Sequence, residues 1–152
     1  MSASRFLSSL VLLAAIAACA AAPRTARVTA NTGCYALFAA DWHGAVIAAT
    51  GLRALPSYVA LDATPVGPRG RRVIVPATWQ GVGPSPEWAS WRVEGPELVL
   101  TFLGSTGTLE VALRPTRDGY SGEGVTPLRH GVRPVHVTLR TTSCVGLRAG
   151  TA

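Results

Sequence analysis

Residues Ala89 to Thr126 read ASWRVEGPELVLTFLGSTGTLEVALRPTRDGYSGEGVT, and the fold follows from how that stretch alternates. Ala89, Trp91 and Val93 are apolar at every second position, the spacing of a half-buried strand. Gly95-Pro96, between Glu94 and Glu97, punctuates the run. Leu98, Leu100 and Phe102 carry the same period onward; Gly104-Ser105-Thr106-Gly107 breaks it, and Leu109, Val111 and Leu113 resume it. Folding at the first break sets Val93 against Leu98, Trp91 against Leu100 and Ala89 against Phe102. Folding at the second sets Phe102 against Leu109, Leu100 against Val111 and Leu98 against Leu113. One set of side chains lands on one face in both pairings. A slip of one residue would turn the whole set toward water, so the pattern specifies its own register.

A fourth strand follows. Asp118-Gly119 has the chemistry of a type I′ hairpin turn, and folding there sets Leu113 against Gly124 and Val111 against Thr126. Pro115 lacks an N–H and requires an edge or a bulge, which would shift this last pairing. Gly122 and Gly124 alternate with the strand period. They favour curvature of the sheet over close approach of a ligand to bare backbone.

Working outward, the N-terminus carries Arg5 and then an apolar run from Phe6 to Ala18, of signal-peptide length and too short to span a bilayer. The four residues Ile16-Ala17-Ala18-Cys19 resemble the bacterial lipobox. That resemblance implies that residues 1–18 are a removed signal helix, that Cys19 is acylated, and that the exported protein is a membrane-anchored lipoprotein of the cell envelope. Ordinary signal peptidase cleavage at Ala18-Cys19-Ala20 is the alternative and would leave a soluble product. Residues 19–32 read as a flexible tether, 33–145 as the folded domain and 146–152 as a C-terminal tail.

Of three cysteines, Cys34 and Cys144 remain once Cys19 is lipidated or discarded, and an even pair in an oxidising compartment reads as a disulfide. Tyr35 and Leu37 face inward on the first strand, leaving Cys34 outward. Val135, Val137 and Leu139 face inward on the last strand, leaving His136, Thr138, Arg140, Thr142 and Cys144 outward. The two thiols share a face of the first and last strands, and a link between those strands is natural if the sheet closes on itself. It would tie a loop of about a hundred residues, with an entropic upper bound of roughly 4–5 kcal/mol.

Between the first strand and Ala89, Asp41 to Gly44 reads as a turn, Val46 to Thr50 as a short apolar run and Gly51 to Pro56 as a break. Ser57 to Asp62 is a strand whose inner face is ambiguous. Residues 64–70 read as a loop and Arg71 to Val75 as a strand. No amphipathic helix is expected after the signal segment. The sum is seven or eight strands joined in order. This predicts an all-β domain, a small antiparallel up-and-down barrel, with a β-sandwich as the competitor. Gly33-Cys34-Tyr35 opening the first strand and the meander from Leu98 to Thr126 resemble calycin-type, lipocalin-like barrels, although Tyr35 stands where that family's Gly-x-Trp opening has tryptophan. The resemblance implies a barrel and carriage of a small ligand.

Charge narrows the functions. The net charge of +6 comes from arginine without lysine, and the arginines are scattered, with Arg69, Arg71 and Arg72 the one cluster. Nucleic-acid binding needs a basic stripe interleaved with stacking aromatics and is excluded as an expectation. The cluster suits a solvated loop, or contact with anionic lipid headgroups or polysaccharide. His43, His130 and His136 lack metal-ligand spacing, so neither a metal nor a cofactor is expected. Ser85 and Ser121 lack the nucleophile elbow, and no paired carboxylates recommend themselves, so no catalytic residue is assigned.

What remains is the tryptophans. Trp91 falls on the inner face, while Trp42, Trp79 and Trp88 fall in loops where they could plug a barrel end, line its mouth or meet a partner. An eight-stranded barrel is either filled by its side chains or holds one small molecule. The leading expectation is a binding module for a small apolar ligand contacted by Trp91, Leu100, Phe102 and Val111. The runner-up is a structural or inhibitory envelope protein with a filled barrel that meets another protein through its loops, and the third reading is a hydrolase without a recognised motif.

Overall fold

The computed structural model describes residues 31–79, 89–127 and 130–145. The signal segment, Cys19, most of the tether, Trp88 and the C-terminal tail lie outside them. Eight strands follow one another: β1 (Gly33–Ala40), β2 (Tyr58–Val66), β3 (Gly70–Ile74), β4 (Ala89–Glu94), β5 (Glu97–Leu103), β6 (Thr108–Thr116), β7 (Gly119–Val125) and β8 (Val135–Thr142). Each pairs antiparallel with the next, and β8 pairs with β1 to close the barrel. Closure removes both sheet edges, the feature that separates a barrel from a sandwich.

The alternation of β4, β5 and β6 produces the expected ladder. Val93 faces Leu98, Trp91 faces Leu100 and Ala89 faces Phe102; Phe102 then faces Leu109, Leu100 faces Val111 and Leu98 faces Leu113. The hairpin places Glu94 opposite Glu97, a repulsive pair, but each carboxylate is taken by an arginine: Glu94 by Arg92 at 2.6 Å and Glu97 by Arg114 at 3.0 Å.

The β6–β7 pairing differs from expectation by two residues. Thr116 faces Gly119, so Arg117 and Asp118 form the loop, Val111 faces Gly124 and Leu113 faces Gly122. Asp118 does not take the positive φ that a type I′ turn would demand. The reason lies in β8: a Cβ on Gly119 would sit 2.1 Å from the Leu139 carbonyl oxygen, so this glycine is needed in the ladder, not in the turn. A displacement of two keeps every side chain on its face.

A helix, α1 (Gly44–Thr50), occupies the segment read as a turn and an apolar run. Seven residues are too few to display a period, and no side chain caps the N-terminus. Tertiary contacts hold it instead. Val46, Ala49 and Thr50 are buried, Gly51 ends it in the left-handed region at φ 75°, and the Thr106 N–H donates to the Thr50 carbonyl at 3.2 Å.

Strand β2 also runs further than expected, through Pro65 to Val66, with Val59 and Leu61 inward. Its register against β3 shifts between Leu61 and Pro65, which accommodates a proline that cannot donate to the ladder. Among the described residues the β3–β4 seam is the shortest in the barrel. Two pairs define it, Arg71 with Trp91 and Arg72 with Ser90.

Candidate functional site

The up-and-down order gives the barrel two unlike rims. At one end lie the tight connections: the β2–β3 turn, Gly95-Pro96 and Arg117-Asp118, together with the entry of β1 and the exit of β8. At the other lie residues 41–57 with α1, residues 75–79, Gly104 to Gly107, and residues 126–127 and 130–134. The candidate positions divide among the interior, the loop rim, the turn rim and the outer wall.

The structure brings the four interior candidates together. Trp91, Leu100 and Val111 stand side by side on β4, β5 and β6, with Phe102 next to them along β5. Each is 0–1% accessible to water, as are Leu98, Leu109 and Leu113, so the chain itself covers them almost completely. Trp91 is fixed further by its indole N–H, which donates to the Asp62 carbonyl at 2.8 Å. Asp62 lies where the β2–β3 register shifts. The Asp62 carboxylate accepts from Arg72 at 2.5 Å and from the Thr64 backbone at 3.1 Å. The hydrogen bond from Arg72 holds its carboxyl below the usual range.

The glycines facing this core are occupied by the chain itself. A Cβ on Gly122 would meet the Ala112 carbonyl oxygen at 1.9 Å, and one on Gly124 would meet Val135, Val111 and Leu109 at 3.0–3.4 Å. Close packing of β6 on β7 is therefore what the two glycines serve. Ligand cavities usually add a few convergent polar groups. Here no buried polar side-chain atom among the described residues lacks a partner.

At the loop rim, Leu52 is fully buried and Trp42, Leu55 and Trp79 pack on the core from above. The Trp79 ring meets Phe102 edge-on at 6.3 Å. Both indoles are pinned to the α1–β2 connection, Trp42 donating to the Arg53 carbonyl at 2.9 Å and Trp79 to the Ala54 carbonyl at 3.1 Å. These two tryptophans plug the barrel. Ile47 on α1 stays exposed beside them.

At the turn rim, Tyr35 and Tyr120 meet edge-on with centroids 5.8 Å apart, and their hydroxyls donate to the carbonyl and the side-chain amide oxygen of Asn31 at 3.1 and 2.5 Å. Burial pushes the Tyr35 phenol up to about 12, with the neighbouring Tyr120 adding to the shift. Cys34 and Cys144 form the disulfide there, with Cα atoms 5.2 Å apart and 110 residues between them. Cys34 faces Thr142 across the closing seam, as the shared outward face of β1 and β8 requires.

One pairing on the outer wall was not foreseen. Ser121 Oγ and His136 Nε2 are 3.1 Å apart, and Glu123 is the register partner of His136. The outward assignment of His136 together with the β7–β8 register would have revealed it. The pair lies on the exposed outer face of the barrel, and among the described residues no carboxylate bonds the imidazole and no cluster of three His, Cys, Asp or Glu could hold a metal ion. An imidazole without an orienting partner is a poor general base.

No family model, curated protein or solved structure matches the chain.

Proposed function

We propose that this chain is a lipid-anchored protein of the bacterial cell envelope whose filled, disulfide-closed barrel serves as a rigid, non-catalytic module that binds another envelope protein through its loop rim. The observation that carries the choice is the interior: Trp91, Leu100, Phe102 and Val111 pack with 0–1% exposure. Carriage of a small apolar molecule, the other reading of the same barrel, would require those side chains to swing out of a close-packed core. The loop rim supports recognition of a protein because the long connections gather there on a pinned base, with Ile47 37% exposed and Arg53 and Arg133 both at the surface. Export is supported by the Cys34–Cys144 disulfide, which persists in oxidising compartments, and anchoring by Ile16-Ala17-Ala18-Cys19.

Photo-crosslinking groups at Ile47 and Arg53, introduced in the producing cell, test the module. The expected result is one discrete protein adduct from both positions and none from Glu123 on the outer wall. No adduct, or the same adduct from Glu123, overturns the reading. The anchor is tested separately by Cys19→Ser, which is expected to move the protein out of the membrane fraction or leave it unprocessed.

A further inference from the structure

The two rims differ in charge as well as in shape. Arg69 lies in the β2–β3 turn, Arg71 near the start of β3 and Arg117 in the β6–β7 loop. In the closed strand order those two turns stand on opposite sides of the ring. None of the three arginines has a carboxylate partner among the described residues, whereas Arg72, Arg92 and Arg114 are each engaged. Glu94 and Glu97 on this rim are held by arginines, which leaves Asp118 as its one carboxylate without a cation among the described residues. The chain also enters the barrel here, where Asn31 is clasped by the two tyrosines.

We propose that the turn rim is a membrane-facing surface that rests on anionic phospholipid headgroups. A peptide or a compact anion would engage one side of the ring. Cations on opposite sides act together against a flat, extended array of negative charge, which a bilayer surface provides. The proposal extends the anchored reading, since a tether from Cys19 to Asn31 would deliver this rim to the bilayer, but the arginines are present with or without an acyl chain. Each contributes about 1 kcal/mol near an anionic surface, roughly a fivefold change in partitioning.

The test uses the processed chain, residues 19–152 with Cys19→Ser, which keeps every described residue of the barrel and carries no lipid. Its sedimentation is measured with vesicles of phosphatidylcholine alone and of phosphatidylcholine mixed with phosphatidylglycerol, at low and high salt. Binding is expected to the anionic vesicles and to weaken with salt. Arg69→Gln with Arg71→Gln is expected to lower it about 25-fold, and the exposed Arg117→Gln about fivefold. Arg53→Gln and Arg133→Gln, at the loop rim, are expected to leave it unchanged. Equal loss from the loop-rim variants, equal binding to neutral vesicles, or competition by inorganic phosphate at matched ionic strength would each overturn the proposal. Because no acyl chain is present, failure here is separable from failure of the anchor, which is read by Cys19→Ser in the cell.

Discussion

Replacing Trp91 with alanine should turn a filled barrel into one that binds a guest. The indole is 1% exposed; it faces Arg71 on β3 and the fully buried Leu100 on β5, with Val111 one strand further on. Its removal empties on the order of 100 Å³, and at about 24 cal/mol per Å³ the cavity alone costs roughly 2.4 kcal/mol. Lost transfer of the ring from water adds about 2 kcal/mol, for a total near 4–5 kcal/mol if the site does not collapse. Leu100 and its apolar neighbours line the site beside the Asp62 carbonyl that the indole N–H leaves without its donor, so it should accept a small, mostly apolar molecule that carries an N–H, such as indole. At a hundredfold excess over its dissociation constant, the guest should return about 2.7 kcal/mol. Urea denaturation of wild type and Trp91→Ala, with and without indole, measures all of these quantities. Trp91→Phe is the companion variant: it keeps most of the volume, loses the donor to the Asp62 carbonyl, and should cost about 1–2 kcal/mol without creating a binding site. The reasoning fails if the wild-type barrel is stabilised by apolar molecules as strongly as the variant, or if Trp91→Ala costs less than about 1 kcal/mol.

Removing the disulfide with Cys34→Ser and Cys144→Ser should lower stability by about 4 kcal/mol, read from the urea midpoint, while far-ultraviolet circular dichroism keeps its β signature because seven register pairs still close β1 on β8. Gly122→Ala should be far more damaging than Gly124→Ala, since the first Cβ meets a backbone oxygen at 1.9 Å and the second meets movable side-chain tips at 3.0 Å or more; thermal melts of the two variants decide it. Stability should also fall at alkaline pH. The folded Tyr35 phenol holds its proton to about 12 while an unfolded one releases it near 10, so the contribution is complete below pH 10 and declines between 10 and 12, the loss amounting to roughly 2–3 kcal/mol at the upper end; Tyr35→Phe should flatten that limb of the urea-stability profile.

The parts of the fold that could be read from the chain are those in which one periodicity decides everything. Within β4, β5 and β6 the alternation is unbroken and the turns between them are short, so the period of two fixes six facing pairs. The same parity placed Cys34 and Cys144 on the outward face of the closing seam. What escaped depends on contacts distant in sequence. The hairpin after Thr116 is set by the Leu139 carbonyl pressing on Gly119, an atom 20 residues away from it. Helix α1 owes its position to Thr106 and the β5–β6 loop, not to its own seven residues. Pro65 argued for a loop on local grounds, and the shift in β2 register absorbed it. The interior candidates were identifiable as a group, because they share one face. Whether that face encloses space depends on the fit of side chains from all eight strands, which no linear pattern encodes.

The covalent link between the first and last staves has a topological corollary. With Cys34 and Cys144 joined and β1 laid along β8, the polypeptide is nearly a ring, and the native opening is one of several places it could have been cut. Among the described residues the shortest stitch elsewhere is between β3 and β4, with two pairs. A circular permutant that fuses residue 145 to residue 31 through a short linker, and begins its chain between Trp79 and Ala89, would keep every strand beside its present neighbours and move the ends to the opposite rim.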